Sequence, residues 1–170
     1  MRAGMTARQV RLLRWLALGC ALALADQASK GWVLAQFMPG ERLSVIDGWL
    51  DLTLVFNRGA AFSFLADQAG WQRWLFTAIS LAAALILPWM IHQAHERPLH
   101  CAALAFIWSG ALGNGLDRAI YGQVTDFLLF YREAWDFYFP AFNIADSAIT
   151  LGVILLLLEE WIQWRKKAQT

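Results

Sequence analysis

Residues 71–91 read WQRWLFTAISLAAALILPWMI, and Arg73 is the only charged side chain in the stretch. A run of about 20 apolar residues is what a helix needs to cross the hydrocarbon core of a bilayer. Three more stretches have that length, near Trp15–Ala35, Leu99–Ile120 and Phe142–Trp164. The whole chain agrees: 59% of its 170 residues are hydrophobic and 16% are charged. Soluble domains carry roughly 25% charged residues, so this surface suits lipid rather than water. A net charge of +1 argues against a nucleic-acid partner, which calls for a basic face. Many of the ten tryptophans lie near the ends of apolar runs, where the membrane interface favours amphipathic rings. The fold class is thus an all-α membrane protein: a four-transmembrane-helix bundle in a single integral domain, residues 1–170. No internal repeat or low-complexity segment is visible.

Charge orients the bundle. Arg2, Arg8, Arg11 and Arg14 precede or open the first span, and Arg165, Lys166 and Lys167 follow the last. Positive residues collect on the cytoplasmic side, so both termini and the short link around His92–Arg97 are expected there. A cleaved leader ending near Gly19-Cys20 is the competing reading of the N-terminus. Ala17 stands where a larger aliphatic residue is usual before such a cysteine, and the chain stays apolar beyond it, which favours a retained helix. The outer loops are then residues 38–70 and 121–141. In the first, Leu50, Leu52, Leu54 and Phe56 alternate with Asp51, Thr53, Val55 and Asn57, the period of a strand with one oily face. Asn57-Arg58-Gly59 reads as a turn and Ala60–Leu65 as a second strand, making a small extracytoplasmic β-sheet. The second loop, with its aromatic run Trp135–Phe139, is expected to hold a short interfacial helix. Cys20 and Cys101 read as small buried hydrophobes, and His92, His95 and His100 as solvated residues of the cytoplasmic link rather than metal ligands.

Ionisable groups inside spans are expensive, so each is a functional candidate. Parity puts them all on one side. Asp26 and Lys30 lie in the outer half of the first span; Asn114, Asp117 and Arg118 at the outer end of the third; Asn143 and Asp146 at the outer start of the fourth; Asp126 in the outer loop. Asp26 and Lys30, four residues apart, read best as a self-neutralising pair. Asp117 beside Arg118 should stay ionised and structural. Gly110 and Gly113 permit close approach of a helix or ligand. Asp126 and Asp146 have no cation one turn away. Two carboxyls in apolar surroundings do not easily both ionise, so one can keep a proton while the other acts as base. Spacing alone fits that dyad and a pair of helix-end caps equally well. Ser63, Ser109 and Ser147 have no histidine on their side, which removes a serine–histidine triad.

Five segments in this order resemble the bacterial lipoprotein signal peptidases, the type II signal peptidases, over nearly the whole chain. They are Asp26-Gln27-Ala28-Ser29-Lys30, the segment from Asn57 to Ser63, the segment from Gly110 to Arg118, Val124-Thr125-Asp126-Phe127, and the segment from Phe139 to Ser147. The resemblance implies an aspartic endopeptidase of the bacterial plasma membrane that cuts diacylglyceryl-modified prolipoproteins just before the lipidated cysteine. It implies that Asp126 and Asp146 are the catalytic pair, supported by Asp26, Lys30, Asn57, Gly110, Asn114, Arg118 and Asn143. No ligand cluster lies on the outer side, so no metal or cofactor is expected, and the expected partners are lipidated prolipoproteins and membrane phospholipids. A monomer is expected. Two readings from other classes compete, a proton-coupled transporter and a noncatalytic lipid- or peptide-binding protein. A relay should spread acids through both leaflets, whereas Glu159 and Glu160 alone sit near the inner end. A binding protein has no use for an unpaired aspartate dyad.

Overall fold

The structure is a computed structural model that describes residues 5–59 and 71–169. It contains four long helices, α1 (Ala7–Gln36), α2 (Trp71–Gln93), α3 (Pro98–Tyr121) and α4 (Ile144–Lys167). Strands β1 (Arg42–Ile46), β2 (Leu50–Asn57), β3 (Val124–Arg132) and β4 (Phe137–Tyr138) form an antiparallel sheet in that order. The first three expected spans fall within these helices, and the fourth begins two residues too early, at Phe142, because Asn143 caps α4. α1 starts earlier than expected because Thr6 caps it, with Gln9 closing a capping box. α2 and α3 are long and apolar enough to cross a membrane; α1 and α4 are as long but carry more charge.

The bundle is built around α3, which packs against the other three helices. Its buried face is mostly small residues, among them Ala103, Ala105, Ser109, Gly110, Ala111 and Gly113, with Leu104, Asn114 and Asp117 the larger exceptions. Small residues let backbones approach where no hydrophobic force separates helix from lipid. A Cβ on Gly110 would run into the backbone oxygen of Ala145, so this glycine sets how closely α4 can start beside α3. α2 is the outlying helix. Of its side chains only Gln72 and Ile91 are buried, and Trp74, Ile79, Leu81, Leu85 and Trp89 point outward. An apolar exterior around a polar interior is the reverse of a soluble bundle.

The sheet closes one end. Leu54 and Phe127 pack on Val33 of α1, flanked by Phe37, Leu52, Leu128 and Ile144. The amides of Phe127 and Leu128 both donate to the carbonyl of Phe142, at 3.0 and 2.8 Å, which ties β3 to the entry of α4.

Several expectations change. β2 occupies the expected residues, but a bulge between Leu52 and Val55 breaks its alternation. Leu54 is buried while Phe56 is exposed, and Asp51 and Thr53 are buried on the other face. Its partner Ala60–Leu65 lies outside the described residues; among those described, β2 pairs with β1 and β3. The expected interfacial helix is instead strand β3, one 3-10 turn at Glu133–Trp135 and β4. The run Val124–Arg132 is rich in aromatic and β-branched residues that suit a pleated surface. Cys20 is exposed on α1 rather than buried, whereas Cys101 is buried. His92 and His100 belong to α2 and α3 and are half-buried, not free loop residues.

Candidate functional site

Nearly every polar residue singled out in the sequence converges under the sheet. On α1, one helical turn sets Asp26 beside Lys30, 2.8 Å apart and both almost fully buried. The pair is more than self-neutralising. The Lys30 ammonium also meets Asp117 Oδ2 at 3.0 Å and donates to Asn114 Oδ1 at 2.9 Å. All three of its N–H donors are thereby used. Asp26 Oδ1 accepts the backbone N–H of Ala145 at 2.9 Å, one of the open amides at the start of α4. Gly113 makes room for this, since a Cβ there would stand 2.5 Å from Asp26 Oδ2.

Asp117 does not pair with Arg118, as its neighbour in sequence suggested. Consecutive helical residues point about 100° apart, and Asp117 turns inward to Lys30. It also accepts Gln27 Nε2 at 2.9 Å and the backbone N–H of Thr125 at 3.1 Å. Arg118 instead donates to the carbonyls of Asn114 and Gly59, at 3.4 and 3.3 Å, with its guanidinium over the Phe76 ring.

Asn143 is the N-cap of α4. Its Oδ1 accepts the amide of Asp146 at 2.9 Å, and Asp146 Oδ2 accepts the amide of Asn143 at 3.2 Å, a closed capping box. The cap reading of Asp146 is therefore correct, yet it uses one carboxylate oxygen only. The other, Oδ1, accepts Asn114 Nδ2 at 2.7 Å. Asn143 Nδ2 reaches Asn114 Oδ1 at 3.1 Å, the Thr125 carbonyl at 3.2 Å and Asp126 Oδ1 at 2.7 Å. Asn143 thus donates to both carboxyls, by side chain to Asp126 and by backbone to Asp146. Asp126 comes from β3, opposite Val55, and its second oxygen accepts Asn57 Nδ2 at 3.0 Å from the end of β2.

The Asp126 carboxyl is pushed up to about 7, first by burial and then by the nearby charge of Asp146. The amides of Asn57 and Asn143 and the charge of Lys30 oppose that rise. Two carboxyls that feel each other's charge, one of them near neutrality, can divide a single proton between them. Asp126 is 2% exposed, whereas Asp146 is half-buried. Sequence reading missed two members of this assembly. Gln27 bridges the Gly113 carbonyl and Asp117; its only signal was a polar side chain beside Asp26 within an apolar run. Arg73 contacts the end of α3; its only signal was being the one charge in residues 71–91.

Fold and site together define a helical membrane protein with buried carboxyls at one end of its bundle. The family model for signal peptidase (SPase) II matches residues 18–162. A lipoprotein signal peptidase of Ralstonia nicotianae is 47% identical over 146 residues, 86% of this chain and 83% of that protein. Another, from an Azoarcus species, is 48% identical over 167 residues, 97% of this chain and 90% of the relative. Among solved structures, a bacterial membrane enzyme determined by the in meso method at 2.3 Å superposes with a TM-score of 0.80 at 28% identity, covering 91% of both chains. A second, determined at 1.9 Å, gives 0.73 at 29% identity, covering 85% of this chain and 90% of the other. The chain belongs to the signal peptidase II family.

Proposed function

We propose that Asp126 and Asp146 are the catalytic pair of this peptidase and that its substrates are diacylglyceryl-modified prolipoproteins, cut just before the lipidated cysteine. As a member of its family the chain is an aspartic peptidase that removes signal peptides from prolipoproteins. The observation that carries the assignment is the convergence of two carboxyls from different elements on Asn143. Asp126, near neutrality, holds the proton and hydrogen-bonds the scissile carbonyl. Asp146 takes a proton from water as the water attacks that carbonyl. Asp126 gives its proton to the carbonyl oxygen, which completes a tetrahedral gem-diol. As this collapses, Asp146 passes its proton to the leaving amide nitrogen and Asp126 takes one back from a hydroxyl, so both carboxyls return to their starting states. Asn57, Asn114 and Asn143 hold the pair in place, and Asp26, Lys30, Gly110, Asp117 and Arg118 support them. The working unit in this reading is a monomer.

We place all four helices across the bacterial plasma membrane as one integral domain, with both termini cytoplasmic and the sheet at the outer face, in contact with phospholipid. The basic ends of α1 and α4 support that orientation. Reporter fusions at Tyr131 and at His95 test it: Tyr131 is expected to report the outside and His95 the cytoplasm. A cytoplasmic signal from Tyr131 would overturn it.

The pH dependence follows from Asp126. As pH rises through about 7 the carboxyl loses its proton, so turnover is expected to fall on the alkaline side of that value. Stability also falls as pH rises. The folded group binds a proton up to about 7 and the unfolded group only to 3.8, so the folded state holds more protons in between. Asp126 therefore lowers stability progressively as pH rises across that window, and the loss is complete above it. Cleavage of a synthetic lipidated prolipoprotein, timed from pH 5 to 9 and read by mass spectrometry at the cysteine, tests substrate and profile together. An unlipidated version cut equally well would remove the lipid from the assignment, and turnover still rising at pH 9 would remove the proton from Asp126.

A further inference from the structure

Helix α3 ends just before the strand that carries Asp126, and its last turn is held by a residue from another helix. Arg73, in the first turn of α2, donates from Nε to the carbonyl of Arg118 at 3.0 Å and from Nη2 to that of Ala119 at 2.7 Å. The last carbonyls of a helix have no partner within it and carry the negative end of its dipole, which a guanidinium satisfies on both counts. The chain then turns through Gly122, whose φ of 75° is left-handed and whose N–H also donates to the Arg118 carbonyl, at 3.1 Å. Arg73 lies against this turn: a Cβ on Gly122 would stand 3.3 Å from its Nη1 and 3.4 Å from its Cδ. β3 opens at Val124, and Asp126 follows two residues later. The connection is also held by Arg58 Nε on Gln123 Oε1 at 3.3 Å, by the Thr125 amide on Asp117 and by Asn143 Nδ2 on the Thr125 carbonyl.

We infer that Arg73 is a positioning residue for the catalytic pair: by clamping the carbonyl end of α3 it fixes where β3 leaves the helix, and hence where Asp126 stands relative to Asp146. The inference rests on the catalytic reading of that pair. Asp146 is placed by its own helix cap, whereas Asp126 is placed by three supports: pairing with β2, the Phe142 carbonyl that holds the next two amides, and the turn from α3 that Arg73 clamps. A carboxyl has to be held to within about 0.5 Å to act, and misplacement by about 1 Å can cost some 100-fold in rate.

The test compares Arg73→Gln and Arg73→Lys with Asp126→Asn on one lipidated prolipoprotein in detergent micelles, each variant checked by thermal melting. Arg73→Gln is expected to lower kcat roughly 10- to 100-fold with KM little changed, because the pair is displaced while the substrate surface stays. Arg73→Lys keeps the charge and one of the two contacts, and should recover part of the loss; it carries the test if the glutamine variant does not fold. Gly122→Ala strains the same turn, so adding it to Arg73→Gln should lower kcat by less than the product of the two single effects. Wild-type kcat in a folded Arg73→Gln enzyme would overturn the inference. So would a raised KM with kcat intact, which would make Arg73 a contact for substrate or lipid headgroup. Substantial cleavage by Asp126→Asn would overturn the catalytic assignment instead, so the two failures are distinguishable.

Discussion

Asp126→Asn and Asp146→Asn should each leave a folded protein that scarcely cleaves lipidated prolipoprotein. A carboxamide keeps the shape of the carboxyl but cannot exchange a proton. A general acid or base contributes about 100- to 10,000-fold, and groups that act as a unit lose most of that when either one goes. The double variant is therefore expected to be little worse than either single one. The hydrogen bonds predict a side effect. Both Asp126 oxygens accept amide N–H groups, from Asn57 and Asn143. An asparagine has only one acceptor oxygen, so its NH2 must face one of those donors. Both Asp146 oxygens are likewise engaged, by Asn114 and by the Asn143 backbone. Each variant is thus expected to melt somewhat lower than the parent while remaining folded. Purification in detergent, a melting curve and a timed cleavage assay separate the two effects. Near-normal turnover in a well-folded single variant would mean that other carboxyls do the chemistry.

Lys30→Met should be the most damaging change to folding. The ammonium stands 2.8 Å from Asp26, 3.0 Å from Asp117 and 2.9 Å from the Asn114 side-chain oxygen, and the ion pairs are sealed from solvent. Methionine fills similar space but leaves two buried carboxylates facing each other with no cation. Breaking a buried ion pair by removing one partner costs about 3–5 kcal/mol, and here two partners are orphaned at once. Little folded protein is expected to accumulate, and what does should melt far below the parent. Adding Asp26→Asn and Asp117→Asn to Lys30→Met should recover part of the loss, because neutral amides no longer need the ammonium. The readout is yield and melting temperature in detergent, without reference to activity. A Lys30→Met protein as stable as the parent would show that the triad is not what holds α1 to α3.

Some of this was legible in the linear chain. The apolar runs that became α2 and α3 announce themselves by length and composition, because burying a helix in lipid is a local requirement on each segment. The strand over Leu50–Asn57 was visible through its period of two. Parity along the runs was enough to group Asp26, Asn114, Asp126, Asn143 and Asp146 at one end, and the structure gathers them there in one hydrogen-bonded cluster. The glycine at 110 read as a place of close approach, and α4 is what approaches.

Which group meets which was settled by the packing of the helices. Lys30 and Asn114 are 84 positions apart, and Gln27 and Asp117 are 90. No local period links such residues, so Asp117 read as the partner of Arg118 when its cation is Lys30. The Val124–Arg132 strand was hidden for the same reason. Its run of consecutive apolar residues has no period of its own, and only pairing with β2 makes it a strand. Arg73 is the one charge in residues 71–91, and its partners, the last carbonyls of α3, belong to another helix. A helix in lipid is determined by its own side chains; a buried polar network is determined by how several helices cross, because each donor there must find its acceptor on another element.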